Sequence, residues 1–363
     1  MPASSIDMGE REILPQTAAI GRCSRRIAGA PDIAALVTCA AEARRLAVAL
    51  QQEETGPALV TRALSRFNDA VAARALALLA LRFRLPPARW CWLGLGSEGR
   101  LEQTLTTDQD NALVFSASDD GEARQLRELF LPFARAANQA LAECGFPLCR
   151  GEVMAGNPRW CLSLSEWTGN FATWVRTPEP EALLNAAIFF DFRPLAGDDG
   201  LAAELRRVLS GLTRGNEIFL RMMTLNALAA APPLGRLRDF VTEAKSGGAI
   251  DLKKFGSRIF VDAARILALG AGIAATATAP RLRQAAAGGV IPPVDAEACV
   301  RAFHALQGLR LAAQTGDGAD GLACGNQVDP ERLNEFDRRV LLEALRQARK
   351  LQQMLRTRFH IDT

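Results

Sequence analysis

Tyrosine is missing from this chain of 363 residues, and histidine occurs only twice, at His304 and His360. The eight cysteines (Cys23, Cys39, Cys91, Cys144, Cys149, Cys161, Cys299 and Cys324) contain no Cys-x-x-Cys pair. With so few histidines, that spacing argues against a zinc site. The thiols lie mostly among apolar neighbours and read as small core residues, and a disulfide framework is not expected in a chain this long. A dominant charge is missing too: 43 Lys and Arg against 40 Asp and Glu give a formal +3, with the two signs interspersed. So small an excess speaks against a nucleic-acid or membrane-surface protein. Met1 to Pro15 has no apolar signal-peptide core. The least polar later stretch, Ile266 to Pro280, is too short to cross a bilayer and reads as a packed helix with its loop. The expected setting is a reducing one, and the expected protein is soluble and cytoplasmic.

Apolar residues make up 49% of the chain and charged ones 23%, ordinary globular usage with length for two or three compact units. Alanine and leucine dominate while β-branched residues are sparse, so most of the chain should be helical. Residues 1 to 30 read as a flexible N-terminus, and 31 to 85 as a helical segment stopped by Pro86-Pro87. A catalytic unit then spans 86 to 200. It begins with a strand at Trp90 to Leu95 and a second from Asn111 to Phe115. A helix follows from Gly121 to Cys144, broken by Gly145-Phe146-Pro147, and a third strand is expected at Leu148 to Met154. From 201 to 363 the pattern is an antiparallel helical bundle, its last helix opened by Asp329-Pro330. Thr315 to Gly325 reads as an exposed loop. The fold class is therefore α/β plus all-α: a small mixed sheet followed by a bundle.

The most informative segment is Trp92-Leu93-Gly94-Leu95-Gly96-Ser97-Glu98-Gly99-Arg100 with Thr107-Asp108-Gln109-Asp110-Asn111 behind it. An apolar strand runs into a Gly-Ser turn, and an Asp-x-Asp pair then leads into another strand. Residues two apart in extended chain share a face, so Asp108 and Asp110 bring two carboxylates together. A hard divalent cation relieves their repulsion, and Mg²⁺ favours a few carboxylates plus substrate phosphates. Gly96 lets backbone N–H groups approach a phosphate, and Ser97 adds a hydroxyl donor. The plainer reading is a turn decorated with acids.

The string GSEGRLEQTLTTDQDNALVF resembles the signature of a bacterial nucleotidyltransferase family often fused to CBS and cyclic-nucleotide-binding domains. That family belongs to the DNA polymerase β superfamily, near the PII uridylyltransferases and glutamine-synthetase adenylyltransferases. CRGEVMAGNPRW, FFDFRPLAGD and DLKKFGSRIFVDAARILAL are similar to later blocks of the same family, extending the resemblance from about residue 30 onward. It implies a polymerase-β-like catalytic domain, a helical substrate-binding domain, and transfer of a nucleoside monophosphate from an NTP with Mg²⁺ or Mn²⁺. No CBS or cyclic-nucleotide module precedes the motif, so a stand-alone form is expected.

Asp108 and Asp110 are the expected catalytic metal ligands. Glu152, on the expected third strand, is the candidate third carboxylate, with Asp191 as the alternative. Their plainer readings are an exposed strand residue and an ion pair with Arg193. Arg100 either meets the triphosphate or pairs with Glu98 or Glu102. Gln103 and Asn111 either hold base or sugar or satisfy turn backbone. Lys245, Lys253, Lys254 and Arg258 form a basic cluster that either faces the nucleotide or is a solvated face; Lys254 and Arg258 are its candidate nucleotide ligands. Asn157 and Trp160 read as turn and core, and His304 as a packed histidine. The expected partners are an NTP, a protein or small-molecule acceptor and a regulatory protein, with no nucleic acid and no membrane. The competing reading is a non-catalytic nucleotide-sensing or protein-interaction module in signal transduction.

Overall fold

The computed structural model describes residues 7–53, 56–235, 240–241, 248–315 and 325–361. Three helices come first: α1 (Asp7–Ala28), α2 (Ile33–Gln52) and α3 (Pro57–Phe83). The flexible N-terminus expected up to residue 30 is thus helical from Asp7. Ile20 and Ile27 of α1 are buried with α2 and α3, a periodicity hidden by the polar residues around them. Asp32 caps α2 by accepting from the Ala35 N–H at 2.8 Å.

The catalytic unit has four strands: β1 (Trp90–Gly94), β2 (Asn111–Phe115), β3 (Cys161–Ser163) and β4 (Arg193–Gly197). They lie in the order β3-β2-β1-β4. β1 is antiparallel to β2, with Gly94 opposite Asn111, and to β4, while β2 and β3 are parallel. The sheet is mixed and α5 (Asp120–Glu143) joins β2 to β3's side of it. Alternation divides the sheet between two cores. Trp92, Leu113 and Phe115 point to α5 and the N-terminal helices, where Phe115 stacks on Phe130 at 5.3 Å. Cys91, Leu93, Ala112 and Val114 point the other way, to α6 (Leu164–Arg176), α7 (Pro180–Phe189) and α8 (Asp199–Thr213). Trp160, Trp167, Trp174 and Phe189 form an aromatic cluster there.

The expected strand at Leu148 to Met154 does not form. The Glu152 N–H closes onto Cys149 O at 3.0 Å and Met154 N–H onto Glu152 O at 2.9 Å, and Glu152 itself has φ +54°. These turns interrupt the segment, which still accepts from the Asp-x-Asp stretch at two points, Gln109 N–H to Pro147 O at 3.0 Å and Asn111 N–H to Val153 O at 3.1 Å, and β3 forms further on, at Cys161. α6 and α7, between the sheet strands, were not foreseen.

α9 (Glu217–Leu228), α10 (Arg258–Ala271), α11 (Thr278–Ala287), α12 (Pro293–Gln314) and α13 (Glu335–Arg358) build the helical part. α8, inside the expected bundle, packs on β1 and β4 instead. A two-stranded ribbon, β5 (Ile250–Asp251) with β6 (Gln327–Val328), precedes a π-helical turn at Lys253–Ser257. Asp329-Pro330 opens a separate short turn rather than the last helix. α13 is capped by Asn334, which accepts from the Asp337 N–H at 2.8 Å. Among the described residues no helix is long and apolar enough to cross a membrane. Of the expected exposed loop and the cysteine set, residues 316–324, including Cys324, lie outside the described residues, as does Lys245.

Gly99 packs tightly against the chain that leads into β4: a Cβ there would sit 1.9 Å from the Asp191 carbonyl oxygen. Gly169, inside α6, has nothing within 4 Å of its would-be Cβ. Gly99→Ala is therefore expected to lower Tm markedly. Gly169→Ala should hold or raise it, by up to about 1 kcal/mol of helix propensity. Thermal unfolding of the two variants checks the contrast, and equal effects would refute it.

Candidate active site

β1 and β2 stay paired past their ends, the Leu95 N–H donating to the Asp110 carbonyl at 2.9 Å. The chain then turns at Gly96, with φ +53°. A Cβ at Gly96 would lie 2.9 Å from Asp110 Oδ2, so glycine is needed both for the left-handed backbone and for the neighbouring carboxylate. A single helical turn, α4 (Gly96–Gly99), follows, and Ser97 lines the same cleft as Asp110.

The residues on either side of Asp110, Gln109 and Asn111, are anchored by amides. Gln109 Nε2 donates to the carbonyls of Asn138 (2.9 Å) and Phe146 (2.8 Å). Asn111 Oδ1 accepts from Asn138 Nδ2 and from the Ala155 N–H, both at 2.9 Å. Buried and satisfied, this network fixes the start of β2 to α5 and to the loop after it. Asn111 is thus a buried framework residue that does not line the cleft.

The cleft has a volume of about 330 Å³, within the usual range for ligand sites. One wall is Gly96, Ser97, Thr106, Thr107 and Asp110; the other is the π-helical turn with Lys253, Lys254 and Arg258. Leu184, Ile188 and Val261 supply an apolar side. Besides Asp110, the lining carboxylates are Glu102, Asp251 and Asp262. Glu102 pairs with Arg100 at 2.9 Å and accepts from Thr278 Oγ1. Asp251 Oδ1 accepts from the N–H groups of Lys253 and Lys254, each at 2.9 Å. Asp262 holds Arg265 at 2.7 Å and Arg258 at 3.2 Å. Among the described residues the Asp110 carboxylate receives one hydrogen bond, from the Cys149 thiol at 3.4 Å from Oδ1. Burial and then the charge of Asp108 push its pKa up to about 7, against the opposing effects of the Cys149 hydrogen bond, Lys253 and Arg100. A half-buried anion beside a second anion suits a hard cation. Among the described residues no group of three or more His, Cys, Asp or Glu is placed to hold a metal. Asp110 would offer Mg²⁺ its oxygens within the cleft; Asp108 is exposed and lines the neighbouring recess instead, close enough for its charge to act on Asp110, and phosphates and water would complete the shell.

Neither expected third carboxylate is available. Glu152 is exposed on its loop and does not line the cleft. Asp191 is fully buried and surrounded by cations: Arg100 at 2.8 Å, Arg265 at 2.7 Å, and Arg281 at 2.7 Å as an ion pair without hydrogen-bond alignment. Its pKa lies far below the usual carboxylate range; burial, which opposes this, is outweighed by Arg265, Arg281 and Arg100. Three guanidinium groups leave no place for a metal ion. Arg193, its expected partner, instead binds Asp69 at 2.7 Å. Arg100 pairs with Glu102 and Asp191, not Glu98, while still lining the cleft. Gln103 is buried away from the cleft, in a small recess with Asp108 and Glu98, so it contacts neither base nor sugar there. Trp160 is core, and Asn157 caps a short turn. His304 is half-buried against Phe303.

Glu98 was visible in the sequence only as a partner for Arg100. In the fold it is half-buried next to Asp69, Asp110 and Arg193. Burial first, then Asp69 and Asp110, push its pKa up to about 8, with Arg193 opposing. A raised folded-state pKa favours the protonated form, so this contribution is present below the unfolded pKa of about 4.5 and lost as pH rises through about 8. Glu98→Gln is expected to gain Tm relative to the parent as pH goes from 5 to 8, on the order of a few degrees. Melting curves across that range check it; a pH-independent difference would refute it.

A search of curated proteins finds none that matches this chain. Two family models do. Residues 41–181 match the one described as Putative nucleotidyltransferase DUF294, and residues 217–359 match the Putative nucleotidyltransferase substrate binding domain that goes with it. The first covers the turn and the aspartate pair, the second the lysine-bearing wall. With both halves of the cleft accounted for, the chain belongs to this nucleotidyltransferase family.

Proposed function

We propose that the protein is a Mg²⁺-dependent nucleotidyltransferase that moves a nucleoside monophosphate from an NTP to a protein or small-molecule acceptor, releasing pyrophosphate. The observation that carries this reading is Asp110: a half-buried carboxylate with one oxygen unengaged among the described residues, beside a glycine turn and facing a basic wall across a cleft of about 330 Å³. An acceptor oxygen forms a bond to the α-phosphorus while the bond from that phosphorus to the bridging oxygen breaks, its electron pair leaving on pyrophosphate. The acceptor's proton passes to a carboxylate oxygen of the Asp108–Asp110 pair. Mg²⁺, if held by these carboxylates, would supply charge neutralisation for the reacting phosphate. Ser97 and the Gly96 turn hold the α-phosphate side, and the Lys253–Arg258 turn meets the remaining phosphates. Leu184, Ile188 and Val261 give an apolar surface for the base or the acceptor.

A non-nucleic acceptor is supported by the formal charge of +3 and by a basic cluster that suffices for one triphosphate. A nucleic-acid enzyme normally neutralises several phosphates along a stripe. A regulatory protein partner belongs to the same reading.

Incubation with α-labelled NTPs and cell lysate, followed by identification of the labelled species, tests the proposal. Asp108→Asn and Asp110→Asn are each expected to lower label transfer by about 100- to 1,000-fold or more, the scale of losing a principal electrostatic contributor, while the fold is retained. Near-wild-type turnover of either variant at limiting Mg²⁺ would overturn the metal assignment. Label at the 3′ end of an RNA or DNA would overturn the acceptor class. NTP binding without any transfer would favour the sensing module.

A further inference from the structure

The three described cations of the basic cluster are not equivalent. Arg258 is committed to Asp262 at 3.2 Å. The Lys254 ammonium lies 4.7 Å above the ring of its neighbour Phe255, a cation–π contact. Lys253 is exposed, lines the cleft with Ser97 and Asp110, and its ammonium makes no hydrogen bond or ion pair among the described residues. Its backbone is held firmly. The Lys253 N–H is bound by Asp251 Oδ1, the Leu252 N–H donates to Asn326 O at 2.9 Å, and the Ser257 N–H closes the five-residue turn onto Leu252 O at 2.9 Å. A π-turn at the entrance of a buried helix costs hydrogen-bond geometry and is frequent at functional sites. Here it presents two successive lysines at the mouth of the cleft. Only one of them has its charge free.

Resting on the proposed function, we infer that Lys253 is the cation that binds the β- and γ-phosphates of the NTP and neutralises the departing pyrophosphate, whereas Lys254 is held on Phe255 and is not a phosphate ligand. The reacting α-phosphate belongs beside Asp110 and the Gly96 turn, because the cleft's least-compensated carboxylate is there. The phosphates beyond it must find positive charge, and the apolar side at Leu184, Ile188 and Val261 offers none. The field of Lys253 already reaches Asp110, where it is one of the influences holding that carboxylate's pKa down.

The test is calorimetric binding of a non-transferable α,β-imido NTP and of the matching NMP, each with Mg²⁺, so that no acceptor is needed. Lys253→Met should weaken the NTP analogue by about tenfold or more, the scale of one charge-assisted contact. It should leave NMP binding within about twofold, and Lys253→Arg should restore most of the loss. Lys254→Met should change either ligand by no more than about twofold. The inference is overturned if Lys253→Met leaves NTP binding unchanged, if it weakens NMP equally, or if Lys254→Met costs as much. If the parent protein binds neither ligand with Mg²⁺, the proposed function itself fails, an outcome distinct from those three.

Discussion

The fully buried carboxylate of Asp191 ties the molecule together. It follows α7 and precedes β4, so it belongs to the sheet, yet two of its three guanidinium partners come from α10 and α11. The third, Arg100, comes from the turn that forms one wall of the cleft. An isolated charge in this position would cost several kcal/mol. Asp191, Glu102 and Asp262 offset Arg100, Arg265 and Arg281, so the buried groups neutralise one another. The distance between the catalytic turn and the helical wall is thereby set by ion pairs at the back of the cleft. Thr276 Oγ1 adds a hydrogen bond to the Gly99 carbonyl at 2.7 Å, fastening the same seam.

On that frame the cleft divides its work. The sheet side contributes rigid anions, fixed by the Gln109–Asn111–Asn138 amides. The helical side contributes cations on a short turn whose backbone is capped by Asp251. Such an arrangement suits a substrate that is itself a chain of anions ending in a cation-dependent reacting group. The Cys149 thiol on Asp110 Oδ1 occupies one lone-pair direction of the carboxylate and leaves the other oxygen, next to Gly96, for a ligand.

Much of this was legible in the sequence because it depended on short-range pattern. The strands at Trp90 and Asn111, the helix after Gly121 and the glycine at position 96 follow from alternation, periodicity and turn chemistry. The third carboxylate was not legible. Glu152 reads as a strand residue because its segment directly follows the helix and the Gly145-Phe146-Pro147 break, but the chain turns there, with Glu152 itself at φ +54°. Asp191 looked available because its partners lie 74 and 90 positions away along the chain, at Arg265 and Arg281. Arg100 offered the choice between substrate and neighbour, and the tertiary ion pairs decided for Glu102 and Asp191. Glu98 was legible only as a possible partner for Arg100, since its environment is made by Asp69 from α3 and Arg193 from β4.

The Asp191 junction also bears on how the chain comes to be folded. Positions 100, 191, 265 and 281 must all be in place before that carboxylate is neutralised. The loops closed are long, and contacts of such sequence separation form late. Until α10 and α11 dock, the nascent sheet carries an acid that is better left solvated, so its packed form is not yet favoured. Arg100 falls in the region matched by the first family model and Arg265 and Arg281 in that matched by the second, while Asp191 lies between the two and binds both. A polypeptide released at residue 200 would hold an aspartate in search of two arginines it does not contain.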